Sequence, residues 1–295
     1  MSDTEPASKG DLDQERVVLS YEGIQFKTRI LCQVAAWVLR HANWMTQIWA
    51  RTVMRVLLWF CGGRRFRVFG QEHLDSFAPD TSAILVSNHR SFFDFFVVTW
   101  ATVTRSRLTR RILFPVRAAF FYETWVGGLI NAFLTGMSMF PPFLREKSGK
   151  KFNQLALDLI SRELMESPTA VGLHPEGKRG KGDPFVLLPA QPGVGKMVLE
   201  AHKARIVPVF IVGLSNNLAR EMWWNWTSPN AHPIHICFGS DIDLSDLRDE
   251  GVRASTQLRA SRRCLDAILE VGLKQEERHE AAGLSLADRP AVVNA

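Results

Sequence analysis

The chain has 295 residues, of which 46% are hydrophobic and 22% charged, enough apolar material for one large α/β core with extensions. Its mean hydropathy of −0.05 argues against a protein with several membrane-spanning helices. The formal net charge is +6, and the basic excess in the middle of the chain favours anionic partners. Four scattered cysteines without C-x-x-C spacing indicate buried free thiols in a reducing compartment.

The two ends of the chain differ from its middle. Residues 1–20 are polar and acidic without periodicity, so we expect a disordered tail and not a secretory signal. Residues 276–295 have mixed charge and are predicted to form a flexible tail. Between these tails we predict a helical segment at 21–62 and a single α/β domain at 63–275.

The helical segment carries a polar stripe. Its polar positions recur at spacings of three, four or seven: Arg29, Gln33, Arg40, Asn43, Gln47, Arg51 and Arg55. Tryptophans and leucines occupy the other faces, and no uncharged run approaches the roughly 20 residues that a spanning helix needs. We interpret the segment as a long amphipathic helix or helical hairpin in the membrane interface. A long helix packed on the core is the alternative.

Strand and helix patterns alternate in the domain. Strands are predicted at 83–86, 111–116, 169–173, 206–212 and 234–238, and helices at 92–104, 148–166, 193–203 and 253–272. This alternation predicts an α/β fold with a mainly parallel sheet covered by helices on both faces.

Two apolar segments of the domain leave alternatives open. The charge-free segment 124–144 is interpreted as a buried helix to about Leu134, a turn at Gly136 and a strand through Met139. The alternative is a re-entrant membrane segment. Three further tryptophans cluster in a predicted short loop at 223–226, which suits either the membrane interface or the core.

Two polar segments follow predicted buried strands, Asn88–Asp94 and His174–Arg179. Because ligand groups collect beyond the carboxyl ends of strands in open α/β sheets, we expect both segments in one crevice. His89 is suited to act as a base near neutral pH, and Asp94 could orient its imidazole if His89 lies in the turn and Asp94 in the first helical turn. The alternative is that Ser91 and Asp94 form only a helix capping box.

The second segment is typical of an anion site. Gly177 allows the backbone to approach a ligand, and the Arg179 guanidinium matches phosphate oxygens. Lys178 adds point charge to the same turn. The two segments together therefore suggest transfer chemistry on an anionic substrate.

The motif H-x-x-x-x-D followed by P-E-G-x-R resembles the glycerolipid acyltransferase family, whose best-known members acylate lysophosphatidic acid. Residues 136–145 and 206–209 resemble two weaker family blocks in the same order, so the resemblance covers roughly residues 65–240. It implies that His89 and Asp94 form the catalytic pair. It also implies that substrate-binding residues lie at Arg145, Glu176, Gly177 and Arg179, with Lys178 beside them, and that no metal or organic cofactor is required.

The sequence departs from the family pattern at two positions. An aromatic or aliphatic residue is usual where His174 stands, and threonine or serine where Lys178 stands. A cation at Lys178 favours an acceptor with extra negative charge or a different headgroup. His174 competes with His89 for the role of base, but no carboxylate follows it five residues on.

The resemblance implies transfer of a fatty acyl group from acyl-CoA or acyl carrier protein to the hydroxyl of a lysophospholipid, with lysophosphatidic acid ranked first. We expect direct transfer, because the chain lacks a G-x-S-x-G elbow. The protein should lie on the cytoplasmic face of a membrane, peripheral or monotopic, without a nucleic-acid partner. One alternative is an acyltransferase for another acceptor, such as a lyso-aminolipid. The other is a non-catalytic lipid-binding or membrane-remodelling protein of this fold, which the intact His89 and Asp94 argue against.

Overall fold

The computed structural model describes residues 19–78, 80–105, 111–145 and 149–284, so most of the two predicted tails lies outside it. The strands are β1 (Phe66–Phe69), β2 (Ala83–Ser87), β3 (Arg111–Leu113), β4 (Val116–Arg117), β5 (Pro142–Phe143), β6 (Thr169–Leu173), β7 (Arg205–Val212) and β8 (Ile234–Phe238). The helices are α1 (Phe26–His41), α2 (Asn43–Trp49), α3 (Arg55–Gly62), α4 (Glu72–Asp75), α5 (Asp94–Arg105), α6 (Ala118–Phe121), α7 (Trp125–Thr135), α8 (Lys150–Glu166), α9 (Pro192–Glu200), α10 (Leu218–Thr227), α11 (Ser245–Asp249), α12 (Ala254–Leu273) and α13 (Glu276–Ala281).

Six strands form one sheet in the order β1-β8-β7-β2-β6-β3. All neighbours run parallel except β7 and β8, so the predicted mainly parallel α/β fold is confirmed. Every residue of the adjacent strands β2 and β6 is buried. Because successive side chains of a strand point to opposite faces, this burial means that both faces of the central sheet are covered.

The helical segment packs on the domain through a stripe of mainly small residues. The buried positions recur every three or four residues: Thr28, Cys32, Ala35, Leu39, Ala42, Thr46, Ala50 and Met54. The chain bends at Ala42 between α1 and α2, and a π-helical turn at Ala50–Met54 joins α2 to α3. The segment therefore packs on the core along this stripe. Most of its large aromatic side chains point away from the core, with Trp44 63% exposed.

Helix α7 corrects the interpretation of residues 124–144. The helix ends with a left-handed Gly136, where a turn was predicted, but only one face of the helix is buried, and the next strand is β5 and not a strand through Met139. Its inner face consists of small and polar residues, because a Cβ on Gly128 would lie 2.5 Å from Leu31 and Asn131 bonds the Tyr122 hydroxyl. The large apolar side chains consequently face outwards, and Val126 is 66% exposed.

Two further segments differ from the predictions. The tryptophan cluster lies on a helix, α10, and not in a loop, with Trp223 68% exposed. The segment from 276 begins with α13, whose His279 is fully buried against His235, so the prediction of a flexible tail is wrong for residues 276–284. Across the described parts of the chain, every helix is too short or too polar to cross a membrane.

Candidate active site

His89 and Asp94 form a hydrogen-bonded pair between β2 and α5. The Nδ1–H group of His89 donates to Asp94 Oδ2 at 3.0 Å. The same oxygen accepts the backbone N–H groups of Arg90 and Ser91 at 2.7 and 2.8 Å. Asp94 thus has two roles: it caps the start of α5, and it orients the imidazole of His89. With Nδ1 protonated, Nε2 keeps the lone pair that a base requires.

Glu176 fastens the two polar segments together. Strands β2 and β6 are parallel neighbours, so the turns that follow them lie side by side. The Glu176 side chain is buried, and its Oε1 accepts the backbone N–H of His89 at 2.8 Å while Oε2 accepts that of Leu188 at 2.8 Å. Gly180 N–H donates to the carbonyl of His89 at 2.8 Å. The Glu176 carboxylate is therefore engaged in positioning the His89 backbone.

The charge state of the pair follows from burial and from nearby cations. Desolvation, with Arg179, Arg117 and Arg90, lowers the pKa of His89 to about 4. Burial raises the pKa of the Asp94 carboxyl to about 6, although hydrogen bonds from backbone N–H groups oppose that rise. At neutral pH the imidazole is therefore unprotonated and Asp94 is ionised. This is the state in which His89 can accept a proton.

A cavity of about 570 Å³ opens beside His89. Its polar wall carries Arg117, Lys178 and Arg179 next to the imidazole. The rest of the lining is largely apolar: Phe92, Phe95, Phe114, Phe120, Phe121, Met139, Phe143, Leu157, Leu173, Val194 and Met197. The cavity therefore combines a cationic region next to His89 with an apolar region that suits a hydrocarbon chain.

The predicted substrate residues divide into two groups. Gly177, Lys178 and Arg179 line the cavity, whereas Arg145 does not belong to its wall. The pKa of the Arg117 guanidinium is lowered first by desolvation and then by the positive charge of Arg145, so the two arginines lie near each other. In the sequence, Arg117 did not stand out from the basic excess in the middle of the chain. Its position directly after the apolar run Ile112–Val116 was the signal that could have revealed it.

His174 lies against His89 in the same cavity. The two imidazole rings are nearly parallel, 7° apart, with centroids separated by 4.1 Å. His174 Nδ1 lies 3.1 Å from both the carbonyl oxygen and the hydroxyl of Ser87. His174 lacks the carboxylate partner that orients His89, so the geometry supports His89 as the base.

His89, Asp94 and His174 also form the one cluster in the described chain whose possible metal-ligand atoms lie within 4.8 Å of one another. Nδ1 of each histidine and Asp94 Oδ2 are already hydrogen-bonded to protein groups.

The sheet and the site together define an α/β protein with an oriented imidazole and a cationic turn at neighbouring strand ends. A model of the Acyltransferase family matches residues 65–212, and the chain belongs to this family, as the sequence blocks predicted. Among solved structures, the 1-acyl-sn-glycerophosphate acyltransferase PlsC of Thermotoga maritima matches 84% of this chain and 96% of its own, with 13% identity and a TM-score of 0.46. A search of curated proteins finds no match.

Proposed function

We propose that the protein transfers a fatty acyl group from acyl-CoA or acyl carrier protein to the free hydroxyl of a lysophospholipid. The preferred acceptor is lysophosphatidic acid, which would give phosphatidic acid. One observation carries the proposal: the oriented imidazole of His89 shares a cavity with cationic side chains and a large apolar wall. These features match the three parts of a lysophospholipid: the imidazole suits its hydroxyl, the cationic side chains its phosphate, and the apolar wall its acyl chain.

In the proposed reaction the acceptor hydroxyl attacks the thioester carbonyl carbon while His89 Nε2 takes the hydroxyl proton. Asp94 stabilises the imidazolium that forms. The tetrahedral intermediate then collapses, the carbon–sulfur bond breaks, and the departing thiolate takes the proton from His89. The ester forms in one transfer, without an acyl-enzyme intermediate.

We place this reaction at the cytoplasmic face of a membrane. The exposed aromatic and aliphatic side chains of α1, α2, α3, α7 and α10 support this placement, because so many on the surface of a soluble domain indicate an interaction site. They include Trp44, Phe133 and Trp223, and exposed basic residues such as Arg40 accompany them. This composition suits an anionic lipid surface. The four unpaired cysteines fit the reducing side of that membrane.

Lys178 supports a second candidate acceptor. This lysine lines the cavity at a position where the family usually has threonine or serine, so an acceptor with another headgroup could be the natural substrate. Lys178→Thr separates the two candidates. A shift of selectivity towards lysophosphatidic acid would mean that Lys178 tunes headgroup choice, whereas unchanged selectivity would make it a surface charge.

The proposed function is tested with purified protein, labelled acyl-CoA or acyl carrier protein, and a panel of lysolipids in vesicles. Mass spectrometry should detect phosphatidic acid as the main product from lysophosphatidic acid. The panel includes a lyso-aminolipid and a lysophospholipid with a neutral headgroup. If no lysolipid accepts the acyl group from either donor, the proposal is wrong.

A further inference from the structure

Asn216 joins three segments of the site. It lies in the loop between β7 and α10. Its Oδ1 accepts the backbone N–H of Phe92 at 2.9 Å and Arg179 Nη1 at 3.2 Å, and its Nδ2 donates to the carbonyl of Arg90 at 3.3 Å. One side chain therefore connects the turn that carries His89 to the turn that carries Arg179.

Arg179 depends on this contact for its orientation. It is exposed, and within the described ranges the only side chain bonded to it is that of Asn216. None of the described carboxylates forms an ion pair with it either. A long side chain loses rotamer freedom when it binds an anion, so an arginine that is already oriented loses less on binding.

The amide is suited to this role because it is neutral. A carboxylate at the same position would also hold Arg179, but it would cancel the charge that a phosphate needs. Arg179 is the leading cation among those that lower the pKa of His89, so its position matters to the base as well. Asn216 can orient the guanidinium while leaving its charge available to a ligand.

The loop that carries Asn216 is itself fastened to buried groups. The backbone N–H of Ser215 donates to Glu221 Oε1 at 2.7 Å, and Glu221 Oε2 forms a buried ion pair with Arg65. The hydroxyl of Ser91 donates to the carbonyl of Ser215 at 2.7 Å. Asn216 thus projects from a loop whose position is set by the core and by the His89 turn.

We infer that Asn216 is a positioning residue for acceptor recognition: it holds Arg179 towards the substrate phosphate at a defined place relative to His89. This inference rests on the proposed function for the identity of the phosphate. Asn216 acts through Arg179 and does not take part in bond making.

Asn216→Ala should raise the KM for lysophosphatidic acid about two- to tenfold, the usual effect of losing one hydrogen bond. The donor KM and kcat should change by less than about twofold. In an Arg179→Ala background the same substitution should have no further effect on the acceptor KM. Asn216→Asp can still accept the hydrogen bonds from Phe92 and Arg179, but its carboxylate neutralises the charge of Arg179. It should therefore raise the KM for lysophosphatidic acid at least as much as Asn216→Ala does.

Asn217→Ala is the matched control. Asn217 lies in the same loop and caps α10 by accepting the Arg220 N–H at 3.1 Å, with no bond to Arg179. This variant should lower the thermal denaturation midpoint without changing the acceptor KM. An equal rise in KM for Asn217→Ala, or an undiminished effect of Asn216→Ala without Arg179, would overturn the inference.

A binding measurement separates this inference from the proposed function. Calorimetric titration with glycerol 3-phosphate, a soluble phosphate monoester, needs no turnover. Binding should weaken about two- to tenfold in Asn216→Ala, stay unchanged in Asn217→Ala, and show no Asn216 dependence once Arg179 is alanine. Unchanged binding in Asn216→Ala would refute the role of Asn216, whatever the natural acceptor is. Failure of the wild-type protein to acylate any lysolipid would refute only the function.

Discussion

The turns at the ends of β2 and β6 and the helical surface formed by α1–α3, α7 and α10 are built in opposite ways. In the turns, polar groups are buried: Asn88, Asp94 and Glu176 are almost inaccessible, and each is hydrogen-bonded to backbone. On the helical surface, small residues face the core and aromatic side chains such as Trp44 and Trp223 face outwards.

This difference indicates what each region can tolerate. A buried polar network fixes atoms to within fractions of an ångström, so the loss of one partner leaves others unsatisfied and has a large effect. An exposed apolar surface contributes through its area, so single substitutions there should have small effects that add together. The following predictions test this contrast, from the largest expected effect to the smallest.

Asp94→Asn should lower kcat by about tenfold to several thousandfold, because the imidazole keeps its place but loses the charge that orients and stabilises it. Steady-state kinetics with saturating donor and acceptor would measure the loss. Asp75→Asn removes an exposed carboxylate from α4 and should leave kcat unchanged. Full activity in a folded Asp94→Asn protein would show that Asp94 only caps α5.

Arg179→Ala should raise the acceptor KM about ten- to a hundredfold, since a charge-assisted contact to phosphate contributes roughly 1.5–3 kcal/mol. The donor KM should change little. Lys181→Ala removes the same charge from the same loop but outside the cavity wall, and we expect it to change the acceptor KM by less than about twofold. Equal losses of Arg179→Ala activity on acceptors with and without phosphate would contradict a phosphate site.

The turnover number kcat should fall on the acid side of neutral pH and should not fall between pH 7 and pH 8. Asp94 has a raised pKa of about 6 and His89 a lowered pKa of about 4, so the active form is the unprotonated pair. Activity should therefore be full above about pH 7 and decline as pH falls through about 6, by up to tenfold per pH unit. A plot of kcat against pH would test this, and a limb centred above pH 7 would contradict it.

Substitution of exposed aromatic residues should weaken membrane binding by small steps. Trp44→Ser or Trp223→Ser should each reduce partition onto anionic vesicles about three- to tenfold, equivalent to roughly 1 kcal/mol of apolar burial. The double variant should show the product of the two effects. Val252→Ser, at an exposed apolar position before α12, is the matched control. Unchanged sedimentation of the Trp44/Trp223 double variant with vesicles would argue against this surface as the membrane contact.

Sequence patterns predicted the sheet well where strands are central and continuously apolar. Strands β6 and β8 have the predicted bounds. Strand β1 was missed because it is a short edge strand, only partly buried, with Arg67 inside it. The spacing of His89 and Asp94 allowed contact only across a strand-to-helix turn and left a capping role for Asp94 open; the family resemblance favoured the pair, and in the structure Asp94 bonds both His89 and the backbone before α5.

The orientation of the helices could not be predicted in the same way. Hydropathy favours burial of large apolar residues, whereas the buried face of α7 consists of glycines, Asn131 and Thr135, and that of α1 includes small residues beside two leucines. Close helix packing selects small side chains, and only the tertiary structure shows which face approaches the core. The positioning roles of Glu176 and Asn216 were also beyond sequence reasoning, because their partners lie 87 and 124 residues away in the chain.

The most direct test of the account compares wild-type protein with His89→Ala, using labelled acyl donor and vesicles that contain lysophosphatidic acid. The substitution removes the proposed base, so the rate of phosphatidic acid formation should fall on the order of 10²- to 10⁴-fold or more. Circular dichroism and vesicle binding should match those of the wild-type protein. A folded, membrane-bound His89→Ala protein that forms phosphatidic acid at close to the wild-type rate would contradict general-base catalysis by His89.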